Sequence, residues 1–342
     1  MSAEMGNHGA ESSQNTTSLA YQYSPLNEHA QEIRLLTLLP RKSSPYLRII
    51  LSITSLTDSL VPKFEALSYT WGPPTNPSQI YVGESGSYTL SVTKNLAEAL
   101  PYLQDEHEPR VFWINAVCVN QQDLPERGSQ VKRMAEIYSK ATRVVIWLGP
   151  ESEDSKLGLE TLKYLSRKID IDQWHTVTPV SDDPSEAHWA DLNHYLALDN
   201  AQSKAISALV NRSWFERLWI WQEVRLGTGA SIVLCGHQKI SWLSLRKALI
   251  YVNMKGLPLA GSENRLRLIF SLCDYKRLVP IRSLVEQTSR SKCTNPLDRI
   301  YALYSLLPEN EKGLAIDPDY TKSTAEVYME TVIRSINLTQ SL

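Results

Sequence analysis

The chain has 342 residues, enough for one large domain or two smaller ones, and its 42% hydrophobic content is ordinary for a globular protein able to bury a core. Lys and Arg number 35 against 37 Asp and Glu, a formal net charge of −2, so nothing in the overall balance draws it to nucleic acid or to an anionic membrane. No stretch approaches the roughly 18 uncharged apolar residues that span a bilayer, and the polar start lacks the apolar core of a secretory signal; no membrane span and a cytoplasmic location are expected.

Residues 1–24 are rich in Ser, Asn, Gln and Thr and poor in periodic apolar residues, so they are expected to form a disordered tail. The apolar runs Ile33–Leu39 and Leu47–Ile53 then read as two strands joined by a Pro-containing turn, and Phe64–Trp71 as a third. Ile80–Val82 and Tyr88–Val92 flank Gly83 and Gly86, a hairpin signal. From Thr93 onward helix alternates with strand. Leu96, Leu100 and Leu103 share a helical face, Val111–Ile114 is a short strand, Asp123 with Glu126 resembles a capping box, and Val144–Leu148 is another buried strand. Short links between strand, helix and strand imply a parallel sheet covered by helices.

Residues 151–200 are irregular around a weak helical pattern at Leu157–Ile169 and read as a surface insertion. Ser213 and Glu216 suggest a second capping box, opening the helix that carries Glu223. Ser231–Leu234 and Lys239–Trp242 around Gly236 suggest a hairpin. Beyond about Leu243 the chain turns mostly helical: Asn295 and Pro296 open a helix with Ile300, Leu303, Tyr304 and Leu307 on one face, and Ser323 with Glu326 caps the last. The expected organisation is a tail at 1–24, an α/β domain at 25–242 and a helical part at 243–342. The fold class is α/β, a mainly parallel central sheet flanked by helices (TIR/flavodoxin-like), with antiparallel edge hairpins.

Tryptophan marks three separated stretches, FEALSYTWG (Phe64–Gly72), FWINAVCVNQQD (Phe112–Asp123) and SWFERLWIWQEV (Ser213–Val224). Large aromatics in such clusters build either a core or a recognition surface. In the third, Glu223 has no basic residue at i±3 or i±4 and stands as the leading functional candidate. Its structural alternative is a carboxylate held by loop amides or paired with Arg299 or Arg127.

Ligands of parallel sheets bind beyond the carboxyl ends of strands, which here places Tyr69, Trp71, Asn115, Asn120 and Gln121 where they can offer aromatic faces and amides; alternatively the tryptophans are core and the amides brace a turn. Arg299 would bind a phosphate or make a structural ion pair that docks the helical part. Metal and nucleotide signatures are absent. There is no HExxH, GxGxxG or GxxxxGK[ST], and Cys118, Cys235, Cys273 and Cys293 lack CxxC spacing, so no metal and no bound cofactor are expected.

Taken in order, ALSYTWG, WINAVCVNQQDLPERGSQVKRMAEIYSKATRVVIWLG, SWFERLWIWQEV, and NPLDRIYALYSLL followed by DPDYTKSTAEVY resemble the heterokaryon-incompatibility (HET) domain of filamentous fungi, over roughly Glu32 to Val332. That resemblance implies a fungal origin and a role in self/non-self recognition, in which the domain triggers the death of incompatible fused cells, with a homo-oligomer or protein partners of incompatibility signalling expected. The HET domain is in turn distantly similar to the Toll/interleukin-receptor (TIR) fold, whose enzymatic members cleave NAD⁺ with a glutamate in a Trp-x-x-x-Glu arrangement. Trp219 and Glu223 fit that spacing. The resemblance thus implies NAD⁺ as a substrate, Glu223 as the acid that stabilises the ribosyl cation, and Trp219 one turn before it, while Arg299, read from its own segment, would pair with Glu223 or bind a phosphate. The family usually has Asp where this chain has Asn115, a departure that bears on activity. The alternative is a non-catalytic module that kills by self-assembly or partner recruitment.

Overall fold

The computed structural model describes residues 18–57, 61–257, 259, 261–273 and 279–339. Its strands are β1 (Leu19–Ala20), β2 (Glu32–Leu38), β3 (Arg48–Ser55), β4 (Glu65–Tyr69), β5 (Ser78–Val82), β6 (Tyr88–Val92), β7 (Arg110–Trp113), β8 (Arg143–Trp147), β9 (Ile169–Ile171), β10 (Val177–Pro179), β11 (Ile232–Cys235) and β12 (Gln238–Ser241). Helices α1 (Lys94–Leu103), α2 (Asn115–Cys118), α3 (Leu124–Lys140), α4 (Ser155–Lys168), α5 (Asn200–Val210) and α6 (Ile220–Arg225) are interleaved with them. After β12 come α7 (Trp242–Met254), α8 (Glu263–Cys273), α9 (Ile281–Thr288), α10 (Asp298–Tyr301) and α11 (Thr324–Thr339).

Ten strands form one mixed sheet in the order β1-β6-β5-β3-β2-β7-β4-β8-β11-β12, with β9 and β10 as a separate hairpin. Five of its nine pairings are parallel, and the other four are antiparallel. The parallel part is β7-β4-β8-β11. Taken in chain order these four strands lie 2-1-3-4, the doubly wound order of flavodoxin-like folds, with β4 and β8 flanking the point where the winding reverses. β4 and β8 are central and read as near-continuous buried runs, because helices cover both faces. The other half is mixed: it holds the β2–β3 and β5–β6 hairpins that the sequence pattern predicts, with β3–β5 and β1–β6 paired in parallel. At the other edge β11 and β12 turn through Gly236 at φ +55°, a conformation that glycine adopts at no steric cost.

Asp123 does cap α3, accepting from the Glu126 amide at 3.0 Å, but the other half of the expected box is diverted. The Glu126 carboxylate instead takes the guanidinium fork of buried Arg34 at 2.6 and 2.9 Å, tying α3 to β2. Ser323 and Glu326 make the full reciprocal box that opens α11.

Four expectations differ from what the fold contains. Residues 18–24, placed in the tail, lie against the sheet: β1 pairs with β6, and the Tyr23 hydroxyl donates to the Val117 carbonyl at 2.9 Å; residues 1–17 lie outside the described residues. The 151–200 stretch is not merely a surface insertion, since Leu159, Leu162 and Leu165 of α4 are fully buried against α5 and α7. Ser213 and Glu216 form no capping box; the segment is a single 3-10 turn, and the Glu216 carboxylate is claimed by Arg265 and Lys292. The run from Asn295 breaks into α10 and a 3-10 turn at Tyr304–Leu306, although the Asn295 Oδ1 does accept from the Leu297 amide at 3.0 Å.

Candidate functional site

Ser68 on β4, the turn at Trp214 and Phe215, and α6 meet on one face of the sheet. There Glu223 is buried, its side chain only 3% exposed. The Arg217 guanidinium grips both carboxylate oxygens, Nη1 to Oε2 at 3.0 Å and Nη2 to Oε1 at 2.9 Å. The Ser68 hydroxyl donates to Oε2 as well, and itself accepts the Trp214 indole N–H at 2.7 Å. Such a two-pronged, charge-assisted pair is the strongest way to hold a carboxylate, and in this low-dielectric setting removing either partner strands the other. Burial works to lower the guanidinium's affinity for its proton; the Glu223 charge and hydrogen bonds more than offset it, and Arg217 stays above its ordinary range.

Glu223 is therefore not the isolated acid that its helical neighbours suggest. The correction has a local cause: Arg217 ends the 3-10 turn in an extended conformation (φ −71°, ψ 140°), and the chain re-enters helix only at Ile220. The i±3 and i±4 rule presupposes one continuous helix, and here the partner sits at i−6 around a corner. The same extended residue bridges to Lys292, and the Leu218 amide donates to the Lys292 carbonyl at 2.9 Å. The Trp221 indole reaches the Ser291 hydroxyl at 3.2 Å, so the tryptophan stretch clasps the helical part to the sheet.

The other predicted positions fall into separate groups. Tyr69 points into the core at 2% exposure, and burial pushes its phenol well above the ordinary range. Trp71 is half-buried against the core. Asn115, at the start of α2, and Gln121 bond to each other: the Gln121 amide donates to the Asn115 carbonyl at 2.9 Å and to its Oδ1 at 3.2 Å, while the Asn115 Nδ2 faces the Met134 sulfur. The Asn120 amide N–H donates to Glu126 at 2.7 Å, and its Oδ1 accepts from Gln122. Arg299 turns away from Glu223 and donates to the carbonyls of Thr288 and Ser289 at the end of α9.

Trp219 belongs to a second buried knot. Its indole donates to Asp298 at 3.2 Å, the Tyr320 hydroxyl donates to the same carboxylate at 2.8 Å, and the Arg127 guanidinium lies 3.8 Å from the Tyr320 ring centroid. Burial holds the Asp298 carboxyl above the usual range despite these donors. Sequence reasoning missed Ser68, Trp214, Arg217, Asp298 and Tyr320 as partners. Asp298 and Tyr320 stand in the DRIY and DPDY segments, but nothing local in either says that they face each other.

A crevice of about 230 Å³ opens at the carboxyl ends of β4 and β8, and Glu223 is not among the residues that line it. Among the described residues no group of three or more His, Cys, Asp or Glu is placed to hold a metal, and no helix is long and apolar enough to cross a membrane.

A mixed α/β sheet with a flavodoxin-like parallel half, carrying a buried Glu–Arg clasp on its third tryptophan stretch, is the class of protein that the geometry defines. The heterokaryon incompatibility protein (HET) family profile matches residues 64–223, from the residue before β4 to Glu223 itself. Heterokaryon incompatibility protein 6, OR allele, of Neurospora crassa is 27% identical to it over 371 aligned positions, covering 91% of this chain and 53% of that protein. The chain thus spans about half the length of this curated relative. No solved structure gives a significant match.

Proposed function

We propose that the chain acts in heterokaryon incompatibility as a non-catalytic signalling module, and that Glu223 serves to lock its architecture. The observation that carries this reading is the state of the Glu223 carboxylate: both oxygens are satisfied by Arg217, one also by Ser68, and almost none of it reaches solvent. An acid that stabilises a ribosyl cation must face the reacting sugar, and the energy of opening this clasp would be drawn from binding. The likeness to an incompatibility protein of Neurospora crassa supports the biological side of the proposal.

Assembly with a second copy supplies the signalling step. On α11, Met329, Val332 and Ile333 are 62, 53 and 50% exposed and share one face at spacings of three and four. Antiparallel pairing of two such helices about Val332 sets this apolar face against its own copy, while Glu330 and Arg334 stay paired with each other along α11, the Arg334 Nη2 donating to the Glu330 Oε1 at 2.8 Å. Cell killing and NAD⁺ content measured together test the proposal. Killing without NAD⁺ loss is expected, and its abolition by Met329→Glu with Ile333→Glu. Nicotinamide release by the purified, clustered protein would instead establish the NAD⁺-cleaving reading that the TIR resemblance implies.

A further inference from the structure

The crevice above the sheet lies where doubly wound folds bind ligands: outside the carboxyl ends of two parallel strands whose connections leave in opposite directions. Tyr69 of β4 is in register with Trp147 of β8, and the crevice is lined by the residues that follow each, Thr70 on one side and Leu148 to Pro150 on the other. Asn95 and Glu98 of α1 form one wall; Arg212 and Ser213 form the opposite one.

These walls are fixed. The Asn95 amide donates to the Thr70 carbonyl at 3.0 Å, and the Ser213 hydroxyl to the Thr70 Oγ1 at 3.2 Å. Arg212 spends its guanidinium on the scaffold, donating to the Pro150 carbonyl at 2.8 Å and to the hydroxyls of Ser155 at 2.9 Å and Ser152 at 3.1 Å. Gly149 makes that approach possible: its φ is +109°, and a Cβ there would sit 3.0 Å from the Arg212 Nη1. Glu98 differs from the rest, an exposed carboxylate that no side chain or amide of the described residues engages.

Chemistry narrows the ligand. One carboxylate and one guanidinium leave the crevice without net charge, and both Nη groups of that guanidinium already donate to the scaffold, so a phosphate finds no free two-pronged fork to receive it. An unpartnered carboxylate is the group that accepts a pair of adjacent hydroxyls, as acidic residues do for ribose in dinucleotide folds. The Thr70 and Ser213 hydroxyls can donate or accept beside it. A volume of about 230 Å³ falls below the roughly 300 Å³ at which drug-sized pockets begin, enough for a sugar or a nucleoside and too little to enclose a dinucleotide.

We propose that this crevice binds a neutral vicinal diol of sugar or nucleoside size, with its two hydroxyls on Glu98. The site is separate from the Glu223 clasp, and the proposal goes beyond the signalling role.

Titration calorimetry of the full chain with adenosine, 2′-deoxyadenosine and ribose tests it, since a free sugar and a nucleoside present the same diol. Saturable binding of adenosine or ribose is expected, adenosine binding more tightly if the base contributes. The 2′-deoxy compound should bind roughly tenfold more weakly than adenosine, the equivalent of one hydrogen bond to a charged group. Glu98→Ala, on the exposed face of α1, should produce a loss of the same size for the diol ligands, and Ser213→Trp should abolish binding by filling the crevice. No saturable binding by either diol ligand, equal binding with and without the 2′-hydroxyl, or titrations unchanged in both variants would overturn the assignment.

Discussion

At the scale of single residues, the Glu223–Arg217 pair decides how the acid is understood. Cutting one side of a buried, fully bonded pair leaves an uncompensated charge, so Arg217→Met alone should lower unfolding free energy by about 3–5 kcal/mol. Arg217→Met combined with Glu223→Gln removes both charges while the glutamine oxygen still accepts from Ser68, and most of that loss should be recovered. Urea denaturation of the two single variants and the double variant measures this; costs that simply add would mean the two groups do not depend on each other. Glu216 gives a pH signature nearby. Burial acts to raise its carboxyl, but the hydrogen bonds from Lys292 and Arg265 prevail and hold it below the usual range. Its stabilisation is therefore complete above the ordinary glutamate value of about 4.3 and is lost as pH falls through the lowered folded-state value. Glu216→Gln should cost roughly 1 kcal/mol at pH 7, modest because Lys292 is largely exposed, and nothing once the wild-type carboxyl is protonated. An equal cost at both ends of an acid titration of stability would contradict this assignment.

At the scale of elements, close packing overrides helix propensity in α3. Gly128→Ala in a free helix gains about 1 kcal/mol. Here the added Cβ would stand 2.5 Å from the Pro318 carbonyl oxygen, a backbone atom of the segment that carries Tyr320 to Asp298. The clash should win, lowering stability by about 1–3 kcal/mol in thermal or urea unfolding, whereas a stabilised variant would mean that the 317–320 segment yields freely. For α11 the expectation concerns association: wild-type protein should sediment with a dimer population that Val332→Lys abolishes while its melting temperature stays the same, and a concentration-independent monomer would remove the helix from the assembly step.

Strand positions are legible at this scale because each central strand is covered on both sides and so writes itself as an unbroken apolar run, as in Val144–Ile146. The β5–β6 and β11–β12 hairpins follow from their glycines and β2–β3 from its Pro-containing turn, α1 and α3 from apolar faces repeated at three and four residues, and α11 from its Ser323–Glu326 cap. Helix α4 is less legible. Its buried face includes Gly158, Thr161 and Ser166, small or polar residues that a hydrophobic count passes over, although Gly158 is needed where Leu209 and the Ala205 carbonyl come close.

At the scale of the whole molecule, the third tryptophan stretch is the joint between sheet and helical part. Arg217 and Leu218 pair with Lys292, Trp221 with Ser291, Trp219 with Asp298, and Glu223 with Ser68 of the central strand β4. The sequence singles the stretch out through its costly residues and gives its site a location, but not the kind of site, because each partner stands in a different segment and spacing carries no long-range contact. The chemical sense of Glu223 rests on Arg217 turning back toward it through a non-helical corner, which no periodicity displays. The aromatic and acidic signals that read equally as catalysis or as architecture are here used to fasten the fold together, and a crevice with a free carboxylate stands elsewhere on the same sheet.

The most direct measurement follows cell killing and NAD⁺ content in cells expressing either the wild-type chain or the Arg217→Met/Glu223→Gln double variant, with folding of both checked by thermal unfolding. Killing by both proteins with NAD⁺ unchanged is the expected result. A fall in NAD⁺ with the wild-type chain, lost together with killing in a double variant that remains folded, would make Glu223 a catalytic acid and contradict its role as a structural lock.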